Sequence, residues 1–578
     1  MPGDADLIIR FAGTAGEGVL TVGDLLGRIL ARTGRHVLGT VRYDAEVRGE
    51  KLSMSQVRVA TALVLSAGDR PAILVGFGRE AVEAHLTDLA PGGLLIYDDK
   101  AIDEFGDVTA YRATAPAGCE TLPLSFLEMA WKRAGRAEAA NMVVLGAVTK
   151  VLGLPRETAE AVVQERFGSR GAAAEADLKA LALGWEAATA AGTFRPLAEG
   201  DGKARPFLSG NQAVVLGALA AGCRFFAGYP ITPASEIMDE LARHLPRFGG
   251  TVLQLEDEMA ALGAVLGASF GGMKAMTSTS GPGLSLMSEL INLGAMAEIP
   301  AVIVDVQRGG PSTGLPTRPE QSDLQQAVFG VHGESPRVVV AAASVADCFM
   351  RTIEAFNLAE RCQTPVILLS DQLLGQSRAT VEEGELLVGE LEGRLAADAD
   401  ALRVYQRYRD TASGASPAAV PGTEGGHHFA TGLEHGEDGL PDYTAHGHRL
   451  MSQKRWRKLG LIREAGFRIL GGDGAPRLLI GWGSVGGVLE EAARLLAAEG
   501  VATGVIRVER IHPWPQALSA AIDGRAVFCV EMNFTGQLRA LLRAQGVDAA
   551  LLPWTGGRIA AGEVCDWVRA RMREQGGS

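Results

Sequence analysis

Short apolar strands alternate with helical stretches from one end of this chain to the other, which confines it to layered α/β architectures. Leu7-Ile8-Ile9-Arg10-Phe11 reads as a buried strand, Gly13-Thr14-Ala15-Gly16-Glu17-Gly18 as a tight loop, and Val19 to Thr33 as a helix. Ile73-Leu74-Val75 and Leu94-Leu95-Ile96-Tyr97 add parallel strands, a βαβ beginning of Rossmann-like type. The loop spacing is Gly-x-x-Gly-x-Gly rather than Gly-x-Gly-x-x-Gly. It does not indicate a dinucleotide site, and both a phosphate cradle and a plain close turn fit it.

The alternation restarts twice. Val252 to Leu255, Ala275 to Thr277, Val302 to Val304 and Val366 to Leu369 read as strands of a doubly wound unit, and Leu478 to Ser484 and Val527 to Glu531 as strands of a third. The expected organisation is a first unit over 1–193, a linker over 194–207, a second unit over 208–385, an irregular connecting segment over 386–470 and a third unit over 471–578. A length of 578 residues gives each unit enough chain for its own core, and 74 glycines suit the many tight turns of such folds.

Composition closes off several classes. A formal charge of −13 argues against nucleic acid as a partner and fits a cytoplasmic enzyme. No apolar run approaches the roughly eighteen residues a membrane span needs. The six cysteines (Cys119, Cys223, Cys348, Cys362, Cys529, Cys565) form no Cys-x-x-Cys, so neither an iron–sulfur site nor a disulfide framework is indicated. His427, His428, His435, His446 and His448 crowd together without metal-ligand spacing and read as a solvated loop.

The chemistry concentrates in the second unit. Gly228-Tyr229-Pro230-Ile231-Thr232-Pro233 ends an apolar run and opens a helix, with Thr232 at the N-cap, Pro233 at the first helical position, and Ile237, Met238, Leu241 and Leu245 on one apolar face. A helix start suits a carboxylate ligand. Glu258 opens another helix, rich in small residues (Ala260, Ala261, Gly263, Ala264, Gly267, Ala268), where a partly dehydrated carboxylate suits proton sharing with a ring nitrogen. Ser278-Thr279-Ser280-Gly281-Pro282-Gly283 forms a glycine loop after the next strand. Gln307 to Gln321 forms a longer one, in which Arg318, between Thr317 and Pro319, is stiffly presented for bidentate carboxylate binding.

Together these motifs resemble the alpha subunit of the 2-oxoacid:ferredoxin oxidoreductases, particularly the 2-oxoglutarate type, over nearly the whole chain. The first unit is similar to the family's gamma domain fused ahead of alpha, through Gly13 to Gly18 and Tyr43-Asp44-Ala45-Glu46-Val47-Arg48-Gly49. The second is similar to a thiamine-pyrimidine domain, and the third to a transketolase C-terminal domain. Gly432-Leu433-Glu434-His435-Gly436, Lys454-Arg455 and Glu531-Met532-Asn533-Phe534-Thr535-Gly536-Gln537 also match. Tyr-Pro-Ile-Thr-Pro with Leu-Pro-Thr-Arg is the specific pairing.

The resemblance implies that Glu258 contacts the pyrimidine of thiamine diphosphate, with Gly281 and Gly283 beside the cofactor. Thr232 and Arg318 would hold the substrate carboxylate in a pocket shaped by Tyr229, Ile231 and Pro233. Arg48, Gly16 and Gly18 would face coenzyme A, the acyl acceptor. A thiamine enzyme also needs Gly-Asp-Gly with an asparagine one helix later for Mg²⁺ and diphosphate. The triplets at Asp201 and Asp473 lack it and read as linker turns. A beta subunit is therefore expected to supply that half-site and a [4Fe-4S] cluster, in an (alpha-beta)₂ assembly that passes electrons to ferredoxin. Pyruvate, branched-chain 2-oxoacids and indolepyruvate remain alternative substrates. Two other classes stay open, a non-catalytic assembly subunit and a nucleotide-binding regulator built on the first sheet.

Overall fold

Strands buried at nearly every position build the first segment into a mixed sheet. The computed structural model describes residues 5–43, 52–100, 114–193, 195–472, 474–522 and 524–576. It divides into two compact units, one of Met1–Leu208 with Gln376–Glu383, the other of Ser209–Gly375 with Gly384–Ser578.

In the first unit the strand order is Glu120–Leu124, Leu94–Asp98, Ile73–Gly76, Asp6–Thr14, Leu52–Ala60, His36–Arg42, Arg378–Thr380, Phe207–Ser209. Helix Val19–Arg32 joins Asp6–Thr14 to His36–Arg42. Both strands run antiparallel to Leu52–Ala60, which lies between them, so the βαβ crossover keeps its parallel sense around one inserted strand. Two helices, Ala140–Val151 and Ala172–Ala191, touch backbone to backbone. A Cβ on Gly146 would stand 2.0 Å from the Leu181 carbonyl oxygen, and one on Gly184 1.9 Å from that of Val143. Gln376–Glu383 was expected in the second unit, but Arg378 and Ala379 pair with Gly39 and Leu38, and the Thr380 hydroxyl accepts from the Val37 amide at 2.9 Å. A three-residue strand is too short for its periodicity to be read.

The second unit carries two sheets over one core. Val338–Ala341, Pro365–Asp371, Ala301–Gln307, Ala275–Thr279, Phe225–Gly228 and Thr251–Gln254 are parallel neighbours in that order, with Arg510–His512 added antiparallel beside Val338–Ala341. The other sheet runs Phe467–Leu470, Gly504–Val508, Arg477–Trp482, Ala526–Glu531, Ala550–Pro553. Ile303, Ile367, Ile480, Trp482 and Ile506 belong to the same buried cluster, so the second and third α/β elements of the sequence are one packed body.

The connecting segment is less irregular and less solvated than its composition suggests. It contains helix Ala445–Arg457, and Lys454 and Lys458, both fully buried, meet the equally buried Glu298. Lys454 Nζ lies 2.6 and 2.8 Å from the two Glu298 oxygens, and Lys458 Nζ 3.1 Å from one of them. His435 is also fully buried, 4.0 Å from the Tyr408 ring centroid, with Nδ1 2.9 Å from the Leu433 carbonyl. Burial holds its pKa down, as it does for His428, so neither is the solvated side chain expected from the sequence. No group of metal-ligating side chains occurs among the described residues, and no helix among them is long and apolar enough to cross a membrane.

Candidate active site

At the carboxyl ends of the parallel strands the chain assembles a continuous patch of polar groups, where open α/β sheets bind their ligands. Helix Glu258–Phe270 begins as expected. Asp257 caps it, its carboxylate accepting from the Ala260 amide at 2.7 Å, and Glu258 is the first helical residue. Glu258 is 5% exposed, and among the described residues no protein group donates a hydrogen bond to its carboxylate. Helix Gly281–Leu286 approaches it so closely that a Cβ on Gly283 would stand 2.6 Å from Glu258 Oε1 and 2.0 Å from Thr279 Oγ1. Gly281 is equally confined, its Cβ position 2.7 Å from Asp323 Oδ2. No Cβ fits at either glycine, because the side chains of Glu258, Thr279 and Asp323 already occupy that space. Gly283→Ala is expected to push Glu258 off its position and lower turnover at least about tenfold with the circular dichroism unchanged, since forced overpacking costs roughly 1–3 kcal/mol.

Tyr229 to Pro233 differs from expectation in one respect. The helix starts at Ser235, not after Thr232, because the Ile231 carbonyl accepts from the amides of Ala234 (2.8 Å) and Ser235 (3.0 Å). That turn uses the residues that a Thr232 cap would need, and Thr232 and Tyr229 project as exposed residues while Pro233 is buried. Ile237, Met238, Leu241 and Leu245 form the buried face as anticipated.

The long loop closes on itself at its base. Leu315 N–H donates to Gly309 O (2.8 Å) and Gly309 N–H to Arg318 O (3.0 Å). Gly314 has φ +52°, and a Cβ there would lie 2.2 Å from Gly309 O, so this corner admits only glycine. The closure sets Arg318 beside Gly309, which follows Arg308 just past the end of strand Ala301–Gln307. Arg318 Nη1 lies 3.2 Å from the Thr317 carbonyl. Arg308, which sequence reasoning passed over, is 8% exposed and donates to the Thr232 carbonyl at 2.5 Å, tying the Tyr-Pro-Ile-Thr-Pro turn to the arginine loop.

The motif at Glu531 proves to be a clamp. Glu531 accepts from the amides of Leu538 (2.7 Å) and Arg539 (3.0 Å), and Asn533 Oδ1 from Gly536 N–H (2.8 Å). So ordered, this element grips the far end of the arginine loop. Gln321 N–H donates to Met532 O (2.7 Å), Asn533 Nδ2 to Gln321 O (3.1 Å) and Gln537 Nε2 to Ser322 O (2.7 Å).

The structure therefore brings Glu258, Gly281, Gly283, Thr232 and the base of the Arg318 loop into one chain of contacts, with Arg308 and Asp323 as the missed links. Arg48 lies outside the described residues, as does Asp473. In the first unit Gly16 faces open space and Gly18, with φ +78°, precedes helix Val19–Arg32. The Glu17 carboxylate folds back onto the Thr14 amide at 2.6 Å, so that amide is already engaged by the loop's own acid. Asp201 sits in a turn, engaged by Arg205 at 2.6 Å, and is spoken for as well.

Residues 216–454 match the family described as "Pyruvate flavodoxin/ferredoxin oxidoreductase, thiamine diP-bdg", and residues 8–187 the one described as "Pyruvate ferredoxin/flavodoxin oxidoreductase". The 2-oxoglutarate oxidoreductase subunit KorA of Mycobacterium tuberculosis is 36% identical over 98% of this chain and 92% of its own length. The chain belongs to the 2-oxoacid:ferredoxin oxidoreductases. The alpha subunit of 2-oxoacid:ferredoxin oxidoreductase 2 from Aeropyrum pernix is 30% identical over 99% of this chain and 98% of its own. The solved 2-oxoglutarate:ferredoxin oxidoreductase from Magnetococcus marinus, with 2-oxoglutarate, coenzyme A and succinyl-CoA bound, superposes with a TM-score of 0.91 at 37% identity, covering 98% of this chain and 99% of that one. Both family regions lie on this one polypeptide, and Glu258, Thr232 and Arg318 all fall within the region matched to the thiamine diphosphate-binding family.

Proposed function

We propose that this chain is the fused gamma–alpha subunit of a 2-oxoglutarate:ferredoxin oxidoreductase, converting a 2-oxoacid and coenzyme A to acyl-CoA and CO₂ with reduction of ferredoxin. The observation that carries the reading is the buried Glu258 carboxylate, packed against Gly283 and receiving no donor from the described residues, an acceptor suited to the basic nitrogen of a heteroaromatic ring. Thiamine diphosphate, when bound, supplies the electron sink for loss of the substrate carboxylate as CO₂. Glu258 holds and returns the proton at the pyrimidine nitrogen. Arg318 and the Thr232 hydroxyl orient the 2-oxoacid carboxylate, with Tyr229, Ile231 and Pro233 as the wall.

The rest of the site belongs to another polypeptide. This sequence has no Gly-Asp-Gly motif followed by the required asparagine and no cluster-binding cysteine spacing, so a beta subunit contributes the Mg²⁺–diphosphate half-site and a [4Fe-4S] cluster. Ferredoxin takes the electrons singly. The relatives named above are themselves designated subunits, which supports a two-chain enzyme. The test is co-expression with the adjacent-gene partner and assay of coenzyme A-dependent dye reduction across 2-oxoglutarate, pyruvate, branched-chain 2-oxoacids and indolepyruvate. Preference for 2-oxoglutarate supports the reading, and reduction by none of them rejects it. In the same assay Arg318→Ala is expected to raise the KM for the 2-oxoacid about 10- to 100-fold, the worth of a charge-assisted bidentate contact. An unchanged KM would remove Arg318 from the pocket.

A further inference from the structure

Arg337 stands just before strand Val338–Ala341, at the amino-terminal edge of the parallel sheet and away from the carboxyl ends where Glu258 and Arg308 lie. It is 5% exposed, its Nε and Nη1 are buried without a hydrogen-bond partner, and no carboxylate among the described residues pairs with it. Other buried arginines of the same unit are engaged. Arg351 and Arg507 both meet Glu509, and Arg510 donates to the carbonyls of Glu464 and Pro513. Burial alone pulls the Arg337 pKa down to about 10, with no acid opposing it. A guanidinium stripped of water and given no counter-charge is costly, and what its donors lack is an anion.

Two more orphaned groups lie at the same place. Strand Arg510–His512 runs antiparallel to Val338–Ala341, with Val339 opposite His512. Arg337 precedes Val339 by two residues and Trp514 follows His512 by two, so the register carries both to the same end of the pair. Burial, then the charges of Arg337 and Arg510, hold the His512 pKa at about 4, so that ring is neutral and brings Arg337 no compensation. Trp514 Nε1 and the Ser335 hydroxyl, two residues before Arg337, are each buried without a partner. An indole N–H can only donate. Ser335 and Pro336 also line a cavity of about 370 Å³, walled on other sides by helices Ser288–Met296 and Ala445–Arg457.

We propose that Arg337, Trp514 and Ser335 form a binding site for a small oxyanion, a phosphate or carboxylate group, reached through the cavity beside Ser335. The planar guanidinium suits two oxygens of such a group, and the indole N–H and the hydroxyl serve the others. Water would satisfy the indole and the hydroxyl but would leave the buried charge of Arg337 unmatched, which is why the vacancy calls for an anion. The site lies at the opposite end of the strands from Glu258, so its occupant is not the 2-oxoacid, and it stands whether or not the reaction proposed above is the right one.

The test is the melting temperature of the full chain, alone and assembled with its partner subunit, titrated with inorganic phosphate, with acetate, and with chloride at matched ionic strength. At a hundredfold excess over its half-saturating concentration, phosphate or acetate should raise the Tm by about 2–4 °C above chloride. Which of the two does so tells a phosphate site from a carboxylate site. Arg337→Met should lose that increment while being no less stable than the wild type in chloride, because it removes a buried charge that has no partner. Ser335→Ala and Trp514→Phe keep the arginine and each lack one donor, so half-saturation should weaken about 3- to 10-fold in both. Equal Tm in all three salts overturns the site, as does an increment that survives in R337M. Should R337M fail to fold, unchanged half-saturation in both S335A and W514F overturns it instead. A response of the chain alone that vanishes in the complex would mean that a carboxylate of the partner subunit fills the place, and would overturn the small-anion site.

Discussion

Glu258→Gln is expected to lower turnover in the assembled enzyme by about 10²- to 10⁴-fold, the usual worth of a positioned proton-transfer group. The substitution is nearly isosteric, and the amide side chain would still fit against the Gly283 backbone and Thr279. What it loses is the capacity to take up and give back a proton at the cofactor ring. Because Asp257, not Glu258, caps helix Glu258–Phe270, that helix should form as before. The variant should thus assemble with its partner and show an unaltered far-ultraviolet spectrum. The measurement is kcat at saturating thiamine diphosphate and Mg²⁺, beside the oligomeric state. A variant that retains more than a tenth of the activity would remove Glu258 from the chemistry. A non-catalytic assembly subunit would show no change at all.

The largest stability effect is expected at the buried ion triad of the connecting segment. Glu298→Gln leaves Lys454 and Lys458 buried with no carboxylate between them, and breaking a buried pair in this way costs roughly 3–5 kcal/mol. Burial alone would raise the pKa of Glu298, but Lys458 and Lys454 overcome it and hold it at about 2. Burial lowers Lys458 to about 8 even so, which means one carboxylate does not fully compensate two ammonium groups. A carboxylate depressed in the folded state contributes stability that is present above its ordinary value of 4.5 and lost as pH falls toward about 2. Wild type and E298Q should therefore differ most at neutral pH and converge on acidification. Urea midpoints measure the difference, and hydrogen exchange through helix Ala445–Arg457 locates it. Equal protection of that helix in both proteins would show that the ion triad does not hold it in place.

How far the sequence revealed this molecule depended on whether polarity and exposure agreed locally. The strands of the main parallel sheet and the start of helix Glu258–Phe270 were legible because apolar runs end at Asp257 and Gly228, where the chain turns. Helix Ala445–Arg457 was not, because its inward residues Lys454 and Arg455, and Lys458 just past its end, are cations, two of them paired with Glu298 and one with Glu434, so a charged face reads as solvated while lying in the interior. Arg308 was missed for the converse reason. It sits just after an apolar strand and was absorbed into it. Thr232 carried the right residue type for a cap, but the Ile231 carbonyl already accepted from the Ala234 and Ser235 amides. The pairing of Arg378–Thr380 with the first sheet is a contact across more than three hundred residues of chain, which no local pattern encodes.

The grip of Met532, Asn533 and Gln537 on residues 321 and 322 divides the arginine loop into a part that can be exchanged and a part that cannot. Anyone recasting this enzyme for a different 2-oxoacid has a natural cassette, the stretch from Gly310 to Pro319, whose two ends are held close together by the Gly309–Arg318 closure. Grafts that begin or end beyond Glu320 would have to bring the last α/β element of the donor with them.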